Sequence, residues 1–203
     1  MGINLNDKGY YDVPAANPGE FVKLPAGGYI CRIIHSELLK SKSNNLMLVL
    51  SIDIAEGEFQ GHFKTASANA QRFDANKKWD NSGIYRQLVF DSFTSKVSSY
   101  LKGLFTCIEN SNDNFKININ NFEPNSLCGK LCGFIFAGEE YEKRDHSIGV
   151  KTVIKFPTSI EKIRSGDFRV PELKKLSKPV NTSKPDKDFP NSEPIDPDDL
   201  PFL

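Results

Sequence analysis

Residues 46–55 alternate without a break. Leu48, Leu50, Ile52 and Ile54 share one face, and Met47, Val49, Ser51 and Asp53 share the other. That period of two predicts a strand with one buried face. Ahead of it, Pro25-Ala26-Gly27-Gly28 is a turn signal, and residues 29–34, rich in β-branched and aromatic side chains, read as a strand. The polar residues 41–45 join the two. Glu56-Gly57 turns the chain, residues 59–66 are predicted as a third strand, and the Asn-rich stretch 67–83 as a long loop. Residues 84–90 are either extended or a lead into a helix. There the period changes: Phe93, Val97, Tyr100, Leu101, Leu104, Phe105 and Ile108 fall on one stripe of an amphipathic helix. Asp91 or Ser92 can cap its start and residues 110–112 can end it. Residues 115–119 suit a short extended piece. Residues 127–137 and 149–156 alternate as strands around a charged hairpin tip at 139–146, and residues 159–168 form an extended or helical closing piece.

Three strands, a helix and two strands make a mainly β chain. This order is the connectivity of an OB-fold, a five-stranded Greek-key barrel, here with one α-helix between strands 3 and 4. Its second and third strands and adjoining loops bind oligonucleotides. A different small β-barrel with one packed helix is the second choice. Residues 1–20 form an irregular lead-in and residues 21–176 the barrel domain. Residues 177–203 hold six of the 12 prolines and few apolar side chains. Such a tail cannot offset the entropy of ordering itself and is expected to be disordered.

Charge adds to this division. The chain is neutral overall, but residues 177–203 carry three basic and six acidic groups, leaving the body with 23 basic and 20 acidic ones. A mildly basic body with an acidic tail suits a polyanion on one side and a basic protein on the other. No apolar run approaches the roughly 18 residues of a membrane span, and residues 1–18 have no secretory h-region. The chain is expected in the cytoplasm, away from membranes. Cys31, Cys107, Cys128 and Cys132 lack metal-ligand or disulfide spacing, and His35, His62 and His146 are scattered. Reduced core cysteines, with no metal and no cofactor, are the expectation. His35 alternates with core residues and is expected to be buried or interfacial.

The candidate chemistry lies in residues 63–86. Phe63, Phe73, Trp79 and Tyr85 interleave there with Lys64, Arg72, Lys77, Lys78 and Arg86, against only Asp74 and Asp80. Cations offset phosphate charge, and ring faces stack on unpaired bases at roughly 1–3 kcal/mol per base. Trp79, the one tryptophan, sits in a polar stretch with little core to enter. The purely structural alternative puts Phe63 and Phe73 in the core and packs Trp79 over the barrel mouth. A second group, Tyr141, Lys143, Arg144 and Lys151, surrounds the hairpin tip, where the neighbouring acids favour a solvated turn instead. Asp53, Glu56 and Glu58 are the nearest approach to a carboxylate metal set, and a surface acidic cluster is the preferred reading. No phosphate-binding loop, nucleophile elbow or zinc-protease motif occurs. The chain reads as a non-enzyme.

The chain ends Asp196-Pro197-Asp198-Asp199-Leu200-Pro201-Phe202-Leu203. A solvating tail has no use for Leu200, Pro201, Phe202 and Leu203 at its tip. The phenyl ring can fill a pocket while Asp196, Asp198, Asp199 and the terminal carboxylate meet Lys or Arg around it. This tip is similar to the acidic tip of bacterial single-stranded-DNA-binding proteins, with Leu203 added after the phenylalanine. Other stretches resemble a family of single-stranded-DNA-binding proteins of phages and mobile elements of Gram-positive bacteria. They are Leu24-Pro25-Ala26-Gly27-Gly28-Tyr29, Asp53-Ile54-Ala55-Glu56-Gly57-Glu58-Phe59-Gln60-Gly61, Tyr100-Leu101-Lys102-Gly103-Leu104-Phe105 with Glu109-Asn110-Ser111-Asn112, Gly129-Lys130-Leu131, and Ile163-Arg164-Ser165-Gly166-Asp167-Phe168-Arg169-Val170-Pro171-Glu172-Leu173. The resemblance covers about residues 20–176. It implies an OB-fold and a role in DNA replication or recombination inside a bacterial host cell.

The expectation is a non-catalytic single-stranded-DNA binder whose tip recruits replication or recombination proteins. A homo-oligomer is compatible with it. An OB-fold protein-interaction adaptor without DNA binding is the alternative, and a carboxylate-metal nuclease is a third reading.

Overall fold

A computed structural model describes Tyr11 and residues 23–176. The expected lead-in (Tyr11 apart), the expected disordered tail and the tip residues 196–203 lie outside the described residues. Five antiparallel strands form one open sheet in the order β3-β2-β1-β4-β5. They are β1 (Gly27–Lys40), β2 (Leu46–Ile54), β3 (Ile84–Leu88), β4 (Leu131–Glu142) and β5 (Ile148–Thr158). The alternation in β2 behaves as read: Leu48, Leu50, Ile52 and Ile54 are all buried on the inner face. Cys31 at the centre of β1 is paired with Ile54 on one side and Cys132 on the other. Both cysteines are free, buried thiols, and burial pushes both well above the ordinary thiol range.

Strand β1 is longer than its local pattern suggested, because its register shifts between Ile33 and His35. An extra residue in one strand resets which side chains face inward. Ser36 therefore takes the inner position, and His35, expected to be buried or interfacial, is not buried and stands exposed beside Glu37 at 4.0 Å.

The larger correction concerns residues 59–66. They do not form a strand. Most belong to helix α1 (His62–Phe73), and the third strand is β3 instead. Helix α2 (Ser99–Asn110) does lie between the third and fourth strands, but α1 and the short α3 (Ile160–Ser165) make it one of three helices among the described residues. Leu101, Leu104 and Ile108 of α2 enter the core with Phe63, Phe134 and Phe136. Because α2 begins only at Ser99, Phe93 and Val97 precede it and stand in solvent, as does Tyr100 on its first turn.

The sheet curls. The 3-10 turn Asn81–Gly83 ahead of β3 lies against β5, and α2 touches β3, β4 and β5. Beyond the start of β1, the edge of β4 is covered by Lys174, whose backbone N–H donates to Gly138 O at 3.0 Å and whose carbonyl accepts from Glu140 N at 2.9 Å. Among the described residues, no helix is long and apolar enough to cross a membrane.

Candidate nucleic-acid interface

Helix α1 is started by a residue of another element. Gly61 precedes it in the left-handed region, and no side chain of the capping position closes its first turn. Asp53, at the end of β2, does so instead. Its Oδ1 accepts from the N–H groups of Phe63 at 2.9 Å, Lys64 at 3.4 Å and Ile54 at 3.0 Å. A carboxylate that is only 6% exposed is thus held by backbone donors at the positive end of a helix. Phe63 anchors the same turn. It is 1% exposed, stacks on Phe136 at 6.0 Å between centroids and meets the edge of His62 at 5.0 Å. Phe63 is therefore a core residue, and its expected role in base stacking is corrected.

With Phe63 turned inward, Lys64 and Arg72 lie exposed along about 12 Å of helix. The loop that follows is tied back to α1 by Gln71 Nε2 donating to Lys77 O at 3.1 Å, and it displays Lys77 and Lys78 in solvent. Among the described residues, none of these four cations has a carboxylate within 4.0 Å. The two acids of the segment are turned to local backbone: Asp74 accepts from Asn76 N at 3.0 Å and Asp80 from Ser82 N at 2.8 Å.

Trp79 closes this shelf. It is half-buried, packs against the core and donates from Nε1 to Ile52 O at 3.2 Å. A Cβ on Gly83 would come within 2.9 Å of Nε1 and 2.7 Å of the Phe63 ring, so the indole rests where only glycine gives it room. Arg86 points to the outer face of β3 and donates to Asn81 Oδ1 at 2.9 Å. Tyr85 points the opposite way. Its ring packs on Phe134 at 5.3 Å, its hydroxyl donates to Gln87 Oε1 at 3.0 Å, and burial pushes the phenol far above its ordinary range. Tyr85 is an inner-face residue, which corrects its expected stacking role. The structure thus gathers Lys64, Arg72, Lys77, Lys78 and Trp79 on α1 and its following loop, ties Arg86 of β3 to Asn81, and withdraws Phe63 and Tyr85 into the core.

The hairpin tip between β4 and β5 is built differently. Tyr141 lies opposite Gly149 and covers it: a Cβ there would fall 2.8 Å from the ring. Lys143 and Arg144 are exposed at the turn. Asp145 Oδ1 accepts from Ser147 Oγ at 2.6 Å and from Ser147 N at 3.0 Å, which holds its carboxyl below the ordinary aspartate range. His146 is paired with Glu142. Lys151 faces Glu139, which already binds Lys155 and lies 4.0 Å from Lys174. Acids and bases alternate here.

The carboxylates suggested for a metal do not converge. Asp53 serves α1, while Glu56 holds Arg164 at 3.0 and 3.3 Å. Among the described residues, no group of three or more His, Cys, Asp and Glu could hold a metal ion.

One further feature had no place in the sequence reading. Residues 90–97 form a tight excursion closed by the pairing of Phe90 with Val97. Asp91 Oδ1 accepts from Phe93 N at 2.9 Å, Thr94 N at 2.7 Å and Thr94 Oγ1 at 3.0 Å. The hydrogen bonds from Thr94 and then Phe93 hold the Asp91 carboxyl below its ordinary range. Phe93 stands at the tip, 97% exposed, and Tyr100 is 77% exposed. The signal that could have found them is Asp91 itself. Followed by Ser92 and Thr94, it suits a side-chain turn as well as a helix cap.

Residues 11–98 match the model of a family described as "Protein of unknown function (DUF669)". That span includes β1, β2, α1, the cationic shelf and β3. No curated protein matches the chain.

Proposed function

We propose that this chain is a non-catalytic single-stranded-DNA-binding protein with an OB-fold, acting in phage or mobile-element DNA replication or recombination inside a bacterial cell. The observation that carries the reading is the shelf of Lys64, Arg72, Lys77 and Lys78, exposed, without a carboxylate within 4.0 Å among the described residues, and adjoining the half-buried indole of Trp79. Cations spaced along a helix and loop can follow a phosphate backbone, and an aromatic face beside them tolerates any base. The fold supports the same reading. Three consecutive antiparallel strands with the fourth returning beside the first is the spatial order of a Greek key. The contact of the Asn81–Gly83 turn with β5 draws the two ends of the sheet together, as a partly open barrel requires.

The tip residues Asp196, Asp198, Asp199, Leu200, Pro201, Phe202 and Leu203 recruit replication or recombination proteins in this account. Deleting residues 196–203 is expected to leave DNA binding intact or slightly stronger and to abolish partner capture. Loss of DNA binding on that deletion would contradict the division of labour. The direct test is anisotropy of a labelled thymidine oligomer: binding that weakens as salt rises supports the reading, and absence of binding at low salt refutes it.

One observation favours the adaptor reading. On the edge strand β5, Ile148, Val150 and Phe156 are exposed, a pattern suited to pairing with another protein or a second copy. The same anisotropy measurement separates the two readings.

A further inference from the structure

Phe93 is the most exposed large apolar side chain among the described residues. It contributes nothing to the core, yet its backbone is held firmly. Asp91 commits one carboxylate oxygen to three donors, Asp91 N donates to Lys96 O at 2.7 Å, and Ser95 N donates to Asp91 O at 2.9 Å. Ser95 adopts a left-handed conformation, φ 54°, to complete the turn. A loop built in this way holds the backbone that carries an exposed phenyl ring.

The surroundings favour one kind of partner. Tyr100, also exposed, follows on the first turn of α2. Lys96 follows Phe93 and Lys102 follows Tyr100 in the sequence; both are exposed and neither has a carboxylate within 4.0 Å among the described residues. Asp91, the one acid between residues 90 and 102, has its Oδ1 turned into the loop. Rings with cations and almost no competing acid form the composition that meets bases and phosphates together. The loop is also placed at a working edge. Val89 N donates to Leu46 O at 2.9 Å, so the excursion leaves the sheet beside the β1–β2 hairpin turn.

We propose that the loop carrying Phe93, with Tyr100 behind it, is a second stacking platform for single-stranded DNA, Phe93 taking an unpaired base while Lys96 and Lys102 meet the flanking phosphates. The proposal rests on the single-stranded-DNA reading above. It adds a contact separate from the Trp79 shelf and lengthens the strand that the protein covers.

The test uses the full chain and anisotropy of a labelled thymidine oligomer. Wild-type binding decides the parent reading by itself: without it, both that reading and this one fail. Given wild-type binding, F93A is expected to weaken affinity about tenfold, F93W to restore it to within about twofold, and F93L to leave most of the loss, because a base stacks on a π-face. The melting temperature should not move, since the ring is already in water. The salt slope should stay constant for F93A and fall by about 0.7 for each of K96A and K102A, one phosphate each. An F93A protein that binds as wild type does, or an F93L protein that binds as well as F93W, overturns the platform while leaving the parent reading in place.

Discussion

Two surfaces of this molecule carry the same kinds of residue and are built to opposite effect. The α1 shelf and the β4–β5 hairpin tip each combine an aromatic ring with several lysines and arginines. On the shelf, Asp74 and Asp80 are turned onto backbone N–H groups, and Lys64, Arg72, Lys77 and Lys78 stand without a carboxylate partner among the described residues. At the tip, Lys143, Arg144 and Lys151 also have no carboxylate within 4.0 Å among the described residues, but Glu139 lies opposite Lys151, Glu142 and Asp145 stand in the same turn, and Tyr141 lies over Gly149. Basic residues alone therefore do not define a polyanion site. What distinguishes the two surfaces is the density of acids around the cations: Glu139, Glu140, Glu142 and Asp145 share the hairpin with Lys143, Arg144 and Lys151.

The strongest way to break this comparison is charge reversal. The shelf variant K64E/R72E/K77E/K78E is expected to lose at least about 100-fold in affinity for a thymidine oligomer at low salt. The tip variant K143E/R144E/K151E should stay within roughly threefold of wild type, because its cations already lie among carboxylates. Anisotropy measures both, and equal losses would remove the distinction. Next in size is Asp53→Ala. It leaves the first N–H groups of α1 without their buried acceptor and is expected to cost about 1–3 kcal/mol in a denaturant melt. It should weaken DNA binding as well, because α1 carries the shelf. Gly149→Ala is smaller. The new methyl pushes the Tyr141 ring aside at the surface, a loss of under about 1 kcal/mol with DNA affinity unchanged.

The smallest effect is one of pH at the tip. Hydrogen bonds from Ser147 hold the Asp145 carboxyl below its ordinary value. Its contribution to the turn is therefore complete above the unfolded aspartate value near 3.9 and is lost as pH falls through the lower folded value. The Ser147 amide shift in an NMR titration should hold its plateau to lower pH than an unperturbed aspartate would allow, whereas a midpoint at the ordinary value would contradict the hydrogen bonds.

The parts of the fold legible in the sequence were those whose burial follows one local period. Strand β2 alternates cleanly, and the Leu101, Leu104 and Ile108 stripe of α2 is buried as read. Helix α1 was hidden for two physical reasons. Its inward face uses Phe63 with Ser67 and small alanines, so its apolar stripe is faint. Its start signal, Asp53, sits ten residues before Phe63 and acts only once β2 is folded. The bulge in β1 similarly inverted His35. At the site, Lys64, Arg72, Lys77, Lys78 and Trp79 were readable from composition. Composition cannot tell which rings face inward, so Phe63 and Tyr85 were placed with them. Phe93 and Tyr100 fit a helical stripe by spacing alone, but the Asp91 turn takes Phe93 out of the helix and α2 carries Tyr100 on its exposed side.

The central claim, that the shelf meets single-stranded DNA beside the only tryptophan in the chain, is most directly tested by Trp79 fluorescence. Titration with a thymidine oligomer should quench or shift the indole emission, saturate, and weaken steadily as salt is raised. Unchanged emission with no rise in anisotropy, at low salt and saturating oligomer, would contradict it.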